Sequence, residues 1–202
     1  TTPMSVLPTG IPLNQFAAGD GLAFRRAHGI PEDRPLALFV GRVAHEKNIG
    51  FLLDALCQAR QLCPDVLLVI AGEGPAMGDL KARVETLGLQ DAVRFIGYLD
   101  RQRALPDCYA AADVFVFASR TETQGLVLLE AMAAGLPVIA LAEMGTVDIL
   151  APGRGAFSPP ADTRAFGEAL GHFLNRPTAW RHLAKEAPLY AREWSDVAMA
   201  ER

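Results

Sequence analysis

Residues 114–142 read VFVFASRTETQGLVLLEAMAAGLPVIALA, and the order of residue types along this stretch decides the fold. Val114–Ser119 is almost continuously apolar, the pattern of a parallel strand covered on both faces rather than one with a wet side. A polar loop, Arg120–Gln124, leads into the apolar segment Gly125–Ala134, which has helical length and ends at Gly135-Leu136-Pro137. Val138–Leu141 then repeats the strand pattern. The apolar stretch Leu126–Ala142 approaches transmembrane length, but Glu130 and the Gly135-Leu136-Pro137 turn interrupt it. It reads as a buried helix, a turn and a buried strand, and so completes one strand–helix–strand unit of an α/β sheet.

The alternation continues toward the N-terminus. Leu36–Gly41 (LALFVG), Val66–Gly72 (VLLVIAG) and Val93–Gly97 (VRFIG) are further strand-like runs. About ten to twenty residues of helical pattern separate them, long enough for right-handed crossovers. Asn48 is the expected cap of the first helix, whose Phe51, Leu52, Ala55, Leu56 and Ala59 fall on one face. Helical patterns also cover Asp162–Asn175 and Pro177–Trp194, with Pro188 expected to kink or break the second. The fold class is therefore α/β: a doubly wound parallel sheet, Rossmann-like, with helices on both faces. Residues 1–34, with Pro3, Pro8, Gly10, Pro12 and Gly19, read as a linker, 35–176 as the α/β domain and 177–202 as C-terminal helices. The chain opens on Thr1-Thr2-Pro3 with neither an initiator Met nor a signal-peptide pattern, as expected of a piece of something longer.

Composition narrows the function classes. Half of the 202 residues are apolar and 21% are charged, which excludes disorder, collagen and coiled coil. Nineteen Lys and Arg against 23 Asp and Glu give a net charge of −4, so no general nucleic-acid or anionic-membrane surface is expected. Any anion must be caught by a few locally placed cations. Cys57, Cys63 and Cys108 lack metal or disulfide spacing and read as buried thiols of a reducing cytosol. His28, His45, His172 and His182 form no ligand pair, and no metal is expected.

In open α/β sheets, ligands bind outside the carboxyl ends of the strands. After the first run comes Gly41-Arg42-Val43-Ala44-His45-Glu46-Lys47-Asn48, which sets Arg42 and Lys47 between a strand end and a helix start. Arg grips phosphate through paired N–H groups, Lys adds a point charge, and helix-terminal amides add partial positive charge. The plain alternative is two solvated surface cations beside Glu46. After the second run, Gly72-Glu73-Gly74-Pro75 fails as a dinucleotide fingerprint, because Met77 stands where the third glycine belongs. It reads as a tight turn or as a bare backbone wall for a flat ring. In the helix from Gly125 to Ala134, Glu130 alone is polar, and a lone buried carboxylate is costly unless paired. It is either in a buried salt bridge to Arg42 or Arg120, or an acceptor for a ligand's hydroxyls such as a ribose diol. Amides near Gln124, Gly125 and Leu126 open that helix toward phosphate, and Glu122 lies eight residues before Glu130. A nucleoside-diphosphate sugar has parts to match every one of these groups.

The ordered motifs Gly41-Arg42…Glu46-Lys47, GEGP at Gly72–Pro75, RFIGYL at Arg94–Leu99 and ETQGLVLLEAMAAGLPVIA from Glu122 resemble the C-terminal donor domain of retaining GT-B glycosyltransferases of family 4. Glu122 and Glu130 match that family's E-x7-E signature, and the resemblance covers about residues 5–195. It implies an enzyme in which Arg42 and Lys47 hold the donor diphosphate, Glu130 the ribose, and Glu122 the sugar and the retaining transition state. Gly72, Gly74 and Ile96 become base-site candidates, and Gln124, Gly125 and Leu126 complete the donor site. The donor is expected to be a UDP-, GDP- or ADP-sugar, with no metal or other cofactor. The family's acceptor is held by an N-terminal domain, toward which the segment around Trp180–Trp194 is expected to pack. The implied location is cytoplasmic, at the inner membrane surface in a full-length protein, and this chain alone is expected to bind donor without transferring sugar. Gln124 replaces a Phe common at that place, and Ala142–Thr146 lacks paired glycines, leaving the amides of Gly145 and Thr146 as candidate contacts to sugar or phosphate. A nucleotide-sugar epimerase and a non-catalytic nucleotide-binding module of the same fold are the rival readings. Phosphorylase and dehydrogenase lack their motifs here.

Overall fold

A computed structural model describes residues 9–201 of the chain. Six parallel strands form one sheet: β1 Leu36–Val40, β2 Leu67–Ala71, β3 Val93–Gly97, β4 Val114–Phe117, β5 Val138–Ala140 and β6 Ala156–Phe157, in the order β3-β2-β1-β4-β5-β6. All five expected runs are strands, and the four internal ones (β1, β2, β4 and β5) are buried at nearly every position. β6 is too short to leave a run in the sequence.

The helices are α1 Leu13–Phe16, α2 Gly21–Ala27, α3 Ile49–Ala59, α4 Met77–Thr86, α5 Ala104–Ala111, α6 Leu126–Ala133, α7 Val147–Leu150, α8 Thr163–Asn175, α9 Arg181–Arg192 and α10 Asp196–Ala200. α3 packs on α8, and α6 on α9. The helix expected near Asp162–Asn175 is α8, with the Asp162 carboxylate accepting from Ala165 N at 2.8 Å as its cap.

Four expectations meet a different outcome. Residues 1–8 of the expected linker lie outside the described residues, but 13–27 form α1 and α2, whose Phe16 and Phe24 are buried in the core. The glycine that reads as linker serves close packing: a Cβ at Gly19 would sit 2.1 Å from the carbonyl oxygen of Pro106 in α5. Asn48 stands at the start of α3 with φ 54° but does not cap it; its amide donates to the carbonyl of Ala118 at 3.2 Å. α9 runs unbroken through Pro188, where the missing N–H falls on a half-exposed flank and water can satisfy the freed carbonyl. Of the three thiols, Cys63 and Cys108 are buried and pushed up by that burial, while Cys57 is half-exposed. α9 places Ala187 and Tyr190 in this domain's own core, and Ile11 is bonded to the C-terminal segment through Trp194 O (3.0 Å) and Asp196 N (3.1 Å).

The loops at the carboxyl edge are joined to one another. Gly41 N donates to Ala71 O at 3.0 Å, Val43 N to Glu73 O at 2.9 Å, and Gly72 N to Gly97 O at 2.7 Å. Gly72 has φ +138°, and a Cβ there would lie 1.9 Å from Gly41 O. Gly72→Ala is therefore expected to cost about 2–4 kcal/mol through backbone displacement and φ strain. Gly78→Ala, in open space on α4, should instead gain up to about 1 kcal/mol. Urea denaturation midpoints of the two variants, moving in opposite directions, check the pair.

Candidate active site

The sheet changes winding direction between β1 and β4, and the loops leaving these neighbours must part to opposite faces. The resulting crevice is a cavity of about 610 Å3, within the usual size for small-molecule sites. Arg42, Lys47, Glu122, Gln124, Gly125, Leu126 and Glu130 all line it. Gly72, Gly74 and Ile96 do not; they lie at the ends of β2 and β3, where a Cβ on Gly74 would meet Val43 O at 2.3 Å.

The segment after β1 is tied to the end of β4. Asn48 bonds Ala118 O, and the buried Ser119 hydroxyl donates to Glu46 O at 3.4 Å. That stitching sets Lys47, in a short 3-10 turn, against the loop after β4, where its Nζ lies 2.7 Å from Glu122 Oε2 with both side chains about four-fifths buried. Arg42 stays largely exposed, 4.0 Å from Glu46. Gly125, at φ +66°, immediately precedes α6, no side chain caps the helix among the described residues, and Gly125, Leu126 and Val127 line the cavity.

Glu130 is 6% exposed. Its ion pair is with neither Arg42 nor Arg120, because Arg42 turns to Glu46 and Arg120 to Glu143. Arg101, from the β3–α5 turn, pairs with Oε1 and lines the cavity, while the fully buried Tyr109 hydroxyl donates to Oε2 at 3.1 Å. The bond to Glu130 holds the Arg101 pKa up. Burial first, then the Glu130 charge, pushes the Tyr109 phenol well above its usual range, so it remains an O–H donor. Sequence reasoning missed both residues. Glu130 itself signalled that partners must exist, but no spacing rule picks Arg101 from its neighbours Arg94 and Arg103.

The Glu122 loop is held by the loop after β5. Gly145 N donates to Glu122 O at 2.9 Å, and Thr146 N to Glu143 O at 3.2 Å. These amides are already engaged, which corrects their expected role as contacts to sugar or phosphate. Gly145 is needed there because a Cβ would approach Thr123 O to 1.9 Å. Among the described residues, no group of three or more His, Cys, Asp or Glu side chains is arranged to hold a metal, and no helix is long and apolar enough to cross a membrane.

Comparison with known proteins gives concordant results. The family model described as glycosyl transferases group 1 matches residues 22–191. Alpha-D-kanosaminyltransferase of Streptomyces kanamyceticus is 32% identical over 180 residues, covering 88% of this chain and 46% of that protein. Sucrose-phosphate synthase from Thermosynechococcus elongatus superposes with a TM-score of 0.84 at 30% identity, over 96% of this chain and 49% of the other. Anabaena Alr3699/HepE in complex with UDP and glucose superposes with a TM-score of 0.83 at 22% identity, over 95% and 53%, a likeness of fold alone. The chain spans about half the length of these proteins.

The Glu130 cluster makes a stability prediction. Tyr109→Phe removes the buried donor to Oε2 and leaves that oxygen without it. The expected cost is about 1–3 kcal/mol, read as a lowered melting temperature. A melting temperature equal to wild type would mean that the hydroxyl does not support the carboxylate.

Proposed function

The chain belongs to the group 1 glycosyl transferases, and on that premise we propose that it forms the donor-binding half of a retaining transferase that moves a hexosyl unit from a nucleoside-diphosphate sugar. The observation that carries this reading is the convergence of two cations and two carboxylates, from the ends of β1 and β4 and from α6, on a single cavity. The diphosphate sits between Arg42, Lys47 and the first amides of α6. The ribose diol donates to Glu130. Glu122, beside Lys47, meets the donor sugar.

In the reaction, the bond between the sugar's anomeric carbon and the diphosphate oxygen breaks, and its electron pair leaves with the diphosphate. Fixed cations and helix-terminal amides stabilise that growing charge without reorganising, which is commonly the largest catalytic contribution. Lys47 and the α6 amides do this on the reading proposed here, and no metal enters it. The acceptor hydroxyl bonds to the same face of the anomeric carbon and gives its proton to the departing diphosphate oxygen, with Glu122 stabilising the positive charge at that carbon. The base extends past the cavity toward Gly72, Gly74 and Ile96, and UDP, GDP and ADP donors all satisfy this arrangement. The acceptor is held by an N-terminal domain outside this chain, in a cytoplasmic protein working at the inner membrane surface.

Calorimetric titration with UDP, GDP and ADP tests the reading. Binding of at least one is expected, and Lys47→Ala and Arg42→Ala should each weaken it by about 1–3 kcal/mol, with Lys47→Ala the larger because it also strips Glu122 of its counter-charge. No binding at millimolar concentration, or unchanged affinity in both variants, would overturn the assignment. The chain alone should show no sugar transfer to added acceptors.

A further inference from the structure

The two oxygens of Glu130 have different kinds of partner. Oε2 is held by Tyr109, which is fully enclosed and out of reach of any ligand. Oε1 is held by Arg101, whose side chain is 54% exposed and lines the cavity. Arg101's backbone is fixed: Gln15 Nε2 donates to its carbonyl at 2.6 Å, and the Asp100 carboxylate accepts from the amides of Gln102 (3.1 Å) and Arg103 (2.9 Å). Its guanidinium also lies 5.7 Å from the centre of the Phe16 ring. The turn is tied down by these bonds, while the side chain is half exposed at the cavity.

We propose that Arg101 is a displaceable counter-ion of Glu130, and that it thereby sets how sharply the donor site distinguishes ribose from 2′-deoxyribose. The inference rests on the donor-site reading above. A ligand hydroxyl that reaches the cavity-facing oxygen must compete with the guanidinium already there. A ribose diol supplies two O–H donors and moves Arg101 aside. A 2′-deoxyribose supplies one, and Arg101 remains on the carboxylate in place of the missing hydroxyl, so both lone-pair sites of that oxygen stay occupied. Arg101 is thus a positioning residue acting through Glu130, and it blunts the penalty for a missing hydroxyl. Without it, a deoxy ligand would cover a lone-pair site of that oxygen that has no donor, and burying an unmet acceptor site costs more than the lost bond alone.

The test is calorimetry on the wild-type chain and on Arg101→Met, which keeps an apolar stem over Phe16. UDP, GDP and ADP are each compared with the corresponding 2′-deoxy nucleotide. The ratio of deoxy to ribo dissociation constants should rise about five- to tenfold in Arg101→Met. Arg101→Gln should move the ratio in the same direction but less, and it carries the test if the Met variant does not fold. A purely structural role for Arg101 would shift stability and both affinities together without moving the ratio. A ratio that stays constant or falls while nucleotide still binds overturns the inference and leaves the donor-site reading intact. A wild-type chain that binds none of the three nucleotides overturns both.

Discussion

Everything at this site depends on the reversal of winding between β1 and β4. A right-handed crossover from β1 goes to one face of the sheet and the crossover from β4 to the other, so no loop fills the space between their carboxyl ends. The opening would serve no purpose if the flanking loops were loose. They are not: Asn48 and Ser119 sew the β1 loop to the end of β4, and Gly145 N pins the β4 loop at Glu122. Side chains on irregular backbone thereby stand on segments bonded to their neighbours. Lys47 and Glu122 can meet at 2.7 Å across 75 residues of sequence because the backbone beneath each is anchored.

The second constraint is the carboxylate of Glu130 inside an apolar helix. Its burial is tolerable because each oxygen has a donor, one from α5 and one from the turn before it. α5 therefore has a task beyond covering the sheet. Tyr109 packs edge-on against Phe16 with ring centres 5.9 Å apart, and α1 reaches the Arg101 turn through Gln15. The short N-terminal helices are in this way part of the support of the site.

The sheet was readable because parallel strands covered on both faces need unbroken apolar runs, and VFVF, LLVIA and LALFV supply them. β6, two residues long, leaves no such trace. α1 and α2 were hidden by the composition that lets them pack closely, since Gly19 reads as linker until α5 is seen against it. The Arg, Lys and Glu residues expected at the site were legible because each directly follows a strand or interrupts an apolar helix. Arg101 and Tyr109 were not: their roles come from long-range proximity, 29 and 21 residues from Glu130, with no local pattern to mark them. Asn48 misled for a related reason. A good capping side chain will bond elsewhere when a buried-edge carbonyl such as that of Ala118 is within reach.

On the proposed reading, the charges around the cavity explain how a chain of net charge −4 would hold a diphosphate. Arg42, Lys47 and Arg101 face Glu46, Glu122 and Glu130, so the lining carries three cations and three carboxylates and is locally neutral in formal charge. Long-range attraction is therefore weak, and little of the binding energy can come from a uniform positive field. It must come from exchange of partners at short range. On the proposed reading, Lys47 turns part of its charge from Glu122 to phosphate, ribose hydroxyls take over at Glu130, and the amides at the start of α6 exchange water for phosphate oxygen. Such an exchange favours ligands that bring both an anion and neighbouring hydroxyl donors. Inorganic phosphate brings only the first, and a free sugar only the second. On that reading, a site built from ion pairs selects for the covalent combination of the two, which a nucleoside diphosphate provides.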